Sequence, residues 1–272
     1  MNVLVLIACL ISVLTALLVC WAAGGFLGLH WLWILPLTWL GAMAVCVLLA
    51  VAVLWLLCRR VDLSEQRQED DPFMRRVMNL YVESALILLH TRVHVTGLEK
   101  LPKDGRYCVM CNHLYLFDCL ILLRVLPESQ LAFLAKKEVL RMPMIGQLLH
   151  ATLGQAVDRE NDRAAIVTIR RCIQLLQEDK VSLGIFPEGY CSLDGRLQPF
   201  RSGVFKIPQR AKVPGVGCTL RGTKDLLRNL CRPIPRHVYF DILDVLEPES
   251  FQGQTAAAIG DRAHAIMETK VE

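Results

Sequence analysis

Apolar positions dominate the front of the chain and then break into short, regularly spaced runs. Val3 to Trp21 is one apolar run, and Trp31 to Cys58 is a second, broken by Pro36 near its start. The first 58 residues contain no Asp, Glu, Lys or Arg. Each run matches the roughly 20 residues that a helix needs to cross a hydrocarbon core. The pattern predicts two apolar helices, about 3–22 and 32–58, with Gly24, Gly25 and Gly28 between them allowing a tight reversal. All five tryptophans fall in this part. Trp21, Trp31 and Trp33 lie near the turn and Trp55 near the far end, where interface anchors belong. Residues 61–71 are polar and read as a solvated linker or first turn. Asp71-Pro72 is a good helix start, because proline fits the first helical position. Met74, Val77, Met78, Tyr81, Ala85, Leu88 and Leu89 make one helical stripe up to His90, which Leu80, Val82, Leu86 and Ile87 widen. Such a helix suits a headgroup interface as well as protein.

From Arg92 the texture changes. Val93–Val95, Tyr107–Cys111, Leu131–Ala135, Gln155–Val157, Ser182–Phe186, Val213–Leu220 and Val238–Leu243 read as strands. Between them Ala165, Ile166, Ile169, Cys172, Ile173 and Leu176 mark an amphipathic helix with Asn161 as N-cap. A short helix spans Gly203 to Ala211, and the residues after Pro248 suggest a terminal helix. Alternating strands and helices imply an α/β fold, a mostly parallel sheet flanked by helices. The expected organisation is a membrane hairpin over 1–60, a linker and amphipathic interfacial helix over 61–91, and an α/β domain over 92–272.

Composition adds location. The chain has 272 residues, is 54% apolar and carries a net charge of +4. That charge suits an anionic membrane surface and gives no case for nucleic acid. A cleaved signal peptide is the competing reading of the first run, but it lacks a positive n-region and a second spanning run follows at once. Arg59 and Arg60 follow the second run, and the turn has no Lys or Arg. The positive-inside rule then places the turn outside and both ends, with the α/β domain, in the cytoplasm. The hairpin spans the cell membrane or lies in one leaflet. Of the 11 cysteines, Cys108 and Cys111 have CxxC spacing, but a strand would turn them to opposite faces. No metal site is expected; reduced thiols fit a cytoplasmic domain.

The chemistry sits at strand ends. His113 follows a strand, and Asp118 comes five residues later, in the first turns of a helix. There the carboxylate can reach back, hold one imidazole nitrogen as N–H and leave the other to take a proton from an alcohol. In Gly154-Gln-Ala-Val-Asp158-Arg159, the arginine lies at a strand's carboxyl end, where α/β sheets bind ligands, and its fork suits a phosphate. Phe186-Pro187-Glu188-Gly189 closes a third strand, and Glu188 could hold Arg159 or a substrate hydroxyl. Val213-Pro214 begins a further strand. Cys191 has no assigned partner base in the sequence, which weighs against a cysteine nucleophile.

These four stretches, in this order and near these spacings, resemble the motifs of the 1-acyl-glycerol-3-phosphate acyltransferase family. Asn112-His113-Leu-Tyr-Leu-Phe-Asp118 resembles its N-H-x4-D motif, the run ending in Arg159 its second, FPEG its third and Val213-Pro214 its fourth. Gly97-Leu-Glu-Lys-Leu-Pro102 also fits, and the resemblance covers roughly residues 72–245. It implies that His113 is general base on the acceptor hydroxyl, that Asp118 orients it, and that Glu188 joins them at the catalytic centre. The hydroxyl would attack an acyl thioester on coenzyme A or acyl carrier protein, a co-substrate, with no further cofactor. Arg159, Lys136 and Lys137 would hold the acceptor phosphate. Asn112, Gly154, Phe186, Pro187, Gly189 and Pro214 would shape the acceptor side, where a backbone N–H near Gly189 could stabilise the oxyanion. The family's third motif commonly continues Thr-Arg-Ser, but here it is Tyr190-Cys191-Ser192; Arg201 would take part of the missing arginine's role. The fourth commonly has a second proline, but here Pro214 is followed by Gly215-Val216-Gly217. The partners implied are the lipid bilayer, a lysophospholipid and the acyl carrier. The expected reaction is acylation of lysophosphatidate to phosphatidate. Alternatives are another lysophospholipid or lipid alcohol as acceptor, a thioesterase, or a non-catalytic lipid-binding protein of the same fold.

Overall fold

A computed structural model describes residues 2–24, 30–192, 194–227 and 234–271. Of the glycines expected at the reversal, Gly25 and Gly28 lie outside the described residues, while Gly24 takes a φ of 62°. The chain divides into two units, Met1–Asp62 and Leu63–Glu272.

The first unit holds α1 (Val3–Ala22) and α2 (Trp31–Cys58). Asn2 caps α1, its side-chain oxygen accepting from the amides of Leu4 at 3.0 Å and Val5 at 3.4 Å. α1 packs along α2, and its buried residues Ser12, Ala16 and Cys20 recur every fourth position, so small side chains face inward. Leu10, Leu18, Trp33, Leu40 and Leu48 stay exposed. Both helices are long and apolar enough to cross a membrane.

The second unit is a seven-stranded sheet between helical layers. Its strands are β1 (Thr91–Thr96), β2 (Cys108–Cys111), β3 (Leu131–Lys136), β4 (Gln155–Val157), β5 (Ser182–Ile185), β6 (Gly215–Arg221) and β7 (Arg236–Leu246). They lie in the order β1-β7-β6-β2-β5-β3-β4, and every pair is parallel except β6 with β7. The central strands β2 and β5 are buried throughout, as expected of strands covered on both faces. Cys111 belongs to the core on the side of α3 (Pro72–Leu88) and α4 (Asp118–Val125). Cys108 belongs to the opposite core, with α6 (Asp162–Gln177) and α7 (Lys206–Ala211), so the two thiols do face apart. α5 (Ile145–Ala151) packs beside α3, and α8 (Ala256–Val271) covers β6 and β7. Asn161 caps α6, as expected, accepting from the Ala164 amide at 3.1 Å.

The polar stretch before α3 is largely exposed, but it is tied to the sheet domain. Arg75 is buried, and its guanidinium takes Asp70 in a two-pronged ion pair at 2.6 and 2.8 Å. It also donates to the Leu131 carbonyl at 2.9 Å. Arg171 donates to the Arg67 carbonyl and the Gln68 side chain, and Lys180 reaches Glu69 at 2.6 Å. Polar composition reads as solvated, but here Asp70, Glu69, Gln68 and the Arg67 carbonyl are each held by a cation of the sheet domain, while the Arg67 side chain pairs with Asp71 inside the strap. The strap and α3 therefore belong to the same unit as the sheet. α3 buries Met74, Val77, Met78, Val82 and Leu86 and leaves Phe73, Ile87 and Leu88 exposed.

Candidate active site

Because β2, β4 and β5 run parallel, the residues that follow them all emerge at one edge of the sheet, the carboxyl edge where such folds place ligands. His113 follows β2, Asp158 and Arg159 follow β4, and the 186–192 turn follows β5.

His113 and Asp118 meet as expected: Nδ1 and Oδ2 are 2.7 Å apart. Asp118 opens α4 and is fully buried. The same Oδ2 accepts from the amides of Leu114 at 2.6 Å and Tyr115 at 2.8 Å, while Oδ1 accepts from the Thr223 hydroxyl at 2.5 Å. Four donors satisfy this buried carboxylate and hold it in position. It fixes the proton on Nδ1 and leaves Nε2 facing the site. Phe186 stacks on the imidazole, the ring centres 4.2 Å apart. Burial alone would lower the His113 pKa. The hydrogen bonds with Asp118 and Cys191, and the charges of those two groups, outweigh it and raise the pKa to about 9.

Glu188 does not do what the sequence suggested. Its buried carboxylate accepts from the His113 amide at 2.7 Å and from the Gln198 amide at 3.1 Å, so it holds neither Arg159 nor a substrate hydroxyl. Burial raises it to about 7 against the pull of those two amides. The Ser192 amide donates to the His113 carbonyl at 2.7 Å. The FPEG turn thus grips the backbone of the histidine on both sides, which makes Glu188 a positioning residue.

Arg159 donates instead to the Gly189 carbonyl. Gly189 has a φ of +82°, and a Cβ there would stand 2.7 Å from Arg201 Nε and 3.7 Å from Arg159 Cζ. Two guanidinium groups therefore converge on a turn that only glycine fits. Burial, and then the charge of Arg201, lower the Arg159 pKa. Among the described residues neither arginine has an ion-pair partner. Lys136 and Lys137 differ: Lys136 lies 3.4 Å from Glu138, and Lys137 lies 2.9 Å from Asp158. The unpaired positive charge at this edge thus comes from the arginines and not from the lysines.

Three expected shaping residues serve the framework. Asn112 uses both ends of its amide on the Leu220 backbone, at 3.0 and 2.7 Å, and extends the β2–β6 ladder. Gly154 immediately precedes β4, and a Cβ there would stand 2.2 Å from Leu149 Cδ1, so it is needed for packing. Pro214 precedes β6, and its carbonyl accepts from Cys108, the first residue of β2. The parallel register, Gly215 beside Cys108 and Cys218 beside Cys111, puts Pro214 at the amino edge, about 10–15 Å of strand away from His113. The Gly189 amide is used by the Phe186 carbonyl, and the Pro187 carbonyl accepts from the Arg201 amide at 2.8 Å. The amides of Tyr190 and Cys191 have no partner among the described residues.

Two contacts have no signature in the sequence. Thr223, which follows β6, completes the shell of Asp118 from over a hundred residues away; only Gly222 before it hints at a turn. Cys191 Sγ lies 3.2 Å from His113 Nε2, so the cysteine left without a base in the sequence has one in the structure.

A buried carboxylate, an oriented imidazole and an arginine pair at the carboxyl edge of a mostly parallel sheet define an acyltransferase site. The Acyltransferase family model matches residues 92–221. The 1-acyl-sn-glycerol-3-phosphate acyltransferase of Limnanthes douglasii is 32% identical over 208 residues, which cover 74% of this chain and 71% of that protein. Its namesake in Cocos nucifera is 36% identical over 137 residues, 48% of this chain and 44% of that protein. The crystal structure of the 1-acyl-sn-glycerophosphate acyltransferase PlsC from Thermotoga maritima shares the fold. Its TM-score is 0.60 at 24% identity, over 72% of this chain and 79% of that one. The chain belongs to the 1-acyl-sn-glycerol-3-phosphate acyltransferase family. Its alignments span 44% and 60% of the length of the Cocos nucifera and Limnanthes alba relatives.

Proposed function

We propose that this protein transfers a fatty acyl group from an acyl thioester, on coenzyme A or acyl carrier protein, to the free hydroxyl of 1-acyl-glycerol-3-phosphate, giving phosphatidate. The observation that carries this is the 2.7 Å contact between His113 Nδ1 and the four-times-bonded Asp118. It presents Nε2 to a hydroxyl, and the imidazole in its neutral form, which grows as pH rises toward 9, is the general base. The arginine pair supports a phosphate on the acceptor, since guanidinium groups match its oxygens in pairs. The names of the relatives point to the same acceptor. The apolar hairpin suits a substrate that never leaves the bilayer, and Arg59-Arg60 favour a cytoplasmic catalytic domain.

The test is a panel of acceptors offered to the full-length protein in vesicles with radiolabelled acyl-CoA and acyl carrier protein, read by lipid chromatography. Labelled phosphatidate from lysophosphatidate, lost in His113→Ala, is the expected result. Label found only in free fatty acid makes the protein a thioesterase. Label found only on phosphate-free alcohols removes the phosphate assignment.

A further inference from the structure

His113 Nε2, the nitrogen that a hydroxyl acceptor must reach, is already in contact with a nucleophile. Cys191 Sγ stands 3.2 Å from it, while Nδ1 is held by the buried Asp118. Thiol, imidazole and carboxylate in a row form the arrangement that activates a cysteine. Cys191 is half-buried, unlike Cys108, Cys111, Cys172 and Cys218, which are sealed in the two cores. The other feature that covalent acyl transfer needs lies in the same turn. The Tyr190 and Cys191 amides are unpaired among the described residues, whereas the Gly189 and Ser192 amides on either side are both satisfied. Unpaired amides beside a nucleophile are the donors that a tetrahedral oxyanion requires. The turn itself is braced by Glu188 and Ser192 against the backbone of the histidine.

The geometry points to Cys191 as a covalent acyl carrier: the acyl group passes from the donor thioester to Cys191 and from there to the acceptor hydroxyl. In the first half, His113 Nε2 takes the thiol proton and Sγ attacks the donor carbonyl carbon. The bond from that carbon to the carrier sulfur breaks, and the departing carrier thiolate takes the proton from His113. One thioester replaces another, so the exchange is close to balanced and needs no other reactant. In the second half, the acceptor hydroxyl gives its proton to Nε2 and its oxygen attacks the Cys191 thioester. The carbon–Sγ bond breaks and the Cys191 thiolate recovers the proton. The base, the arginine pair and the products are those of the proposed function, on which this step rests. What changes is that donor and acceptor use the site in turn.

The experiment mixes full-length detergent-solubilised protein with radiolabelled acyl-CoA, and separately with acyl carrier protein, without acceptor, and quenches in acid. Expected is about one acyl group per chain, released by neutral hydroxylamine and mapped by mass spectrometry to the peptide carrying Cys191. The label should chase into phosphatidate when lysophosphatidate is added. His113→Ala should reduce the rate of labelling at least 100-fold. Cys191→Ala should lose both label and turnover, and double-reciprocal plots for the wild type should be parallel. If the wild type makes phosphatidate with intersecting plots and no acylated Cys191, or Cys191→Ala turns over at half the wild-type rate or better, the acyl-enzyme is overturned and the proposed function stands. If the wild type acylates no lysophospholipid but still labels at Cys191, the acceptor reading fails and the covalent step survives. Neither label nor transfer with either donor overturns both.

Discussion

At the scale of single residues, the spacing of histidine and aspartate was enough to find their contact, because both groups lie on one strand–helix connection. Asp118→Asn should lower transfer by about 10²–10⁴-fold, since the amide no longer fixes the imidazole tautomer. The same substitution should bring the His113 titration, followed by NMR, down from about 9, because burial then meets less opposition. The sign for stability follows. A group whose folded pKa is raised contributes stability that is full below its unfolded value near 6.5 and is lost as pH climbs through about 9. Glu188, raised to about 7, acts in the same direction at lower pH. The melting temperature of the wild type should therefore fall between pH 6.5 and 9, and the fall should be shallower in Asp118→Asn; equal slopes would remove His113 as its source. Cys191 and Thr223 were not legible in this way. Their partners lie in other connections, and no local pattern records which turn a strand end will face. The arginines make a second prediction. Losing a charge-assisted hydrogen bond costs roughly 1.5–3 kcal/mol, about a tenfold to hundredfold loss of affinity. Arg159→Ala and Arg201→Ala should each raise the KM for lysophosphatidate by that factor and leave the donor KM within about twofold. Lys136→Ala and Lys137→Ala should do much less, since each lysine already faces a carboxylate. A donor-only effect of Arg159→Ala would assign it to the carrier.

At the scale of elements, the short apolar runs located every strand, because the central strands are covered on both faces and read as continuous apolar stretches. Their register did not follow. Pro214 belongs to a recognisable motif, yet the parallel pairing of β6 with β2 carries it to the amino edge. Sequence shows where a strand begins, but pairing decides which end of the sheet that beginning occupies. The ties of the strap before α3 were hidden for a related reason. A run such as Glu65-Gln-Arg-Gln-Glu-Asp-Asp71 looks solvated until its partners, Arg75, Arg171 and Lys180, are placed beside it. Arg75 is the partner that matters most, because it is buried and serves both Asp70 and the Leu131 carbonyl. Arg75→Ala leaves that carboxylate without its cation, a loss of about 3–5 kcal/mol for a buried pair. Denaturant unfolding should show a destabilisation of that order, and limited proteolysis should open first within residues 63–71. A change within about 0.5 kcal/mol, typical of surface sites, would mean that the strap is held by its exposed contacts alone.

At the scale of the whole molecule, the two units differ in what they leave exposed. Leu63–Glu272 buries apolar side chains on both faces of one sheet. Met1–Asp62 leaves large apolar side chains such as Leu10, Leu18, Trp33, Leu40 and Leu48 exposed on two helices long and apolar enough to cross a membrane. This contrast was legible from the sequence, because the absence of charge over 58 residues is a property of composition and not of contacts. It follows that the catalytic unit should fold without the hairpin. A chain beginning at Val61 should keep the melting temperature of the sheet domain within a few degrees, since its core, strap and site network all lie beyond Asp62. It should leave the membrane fraction in a high-salt wash, which screens charges over a few ångströms and leaves apolar anchoring intact. Its turnover should drop on a long-chain lysophosphatidate in vesicles and persist on a short-chain acceptor in free solution, because the site is intact and only access to bilayer substrate is lost. Flotation of the shortened chain with salt-washed vesicles would show instead that the sheet domain binds lipid by itself. The exposed Phe73, Ile87 and Leu88 of α3 would then be the first positions to change to polar residues.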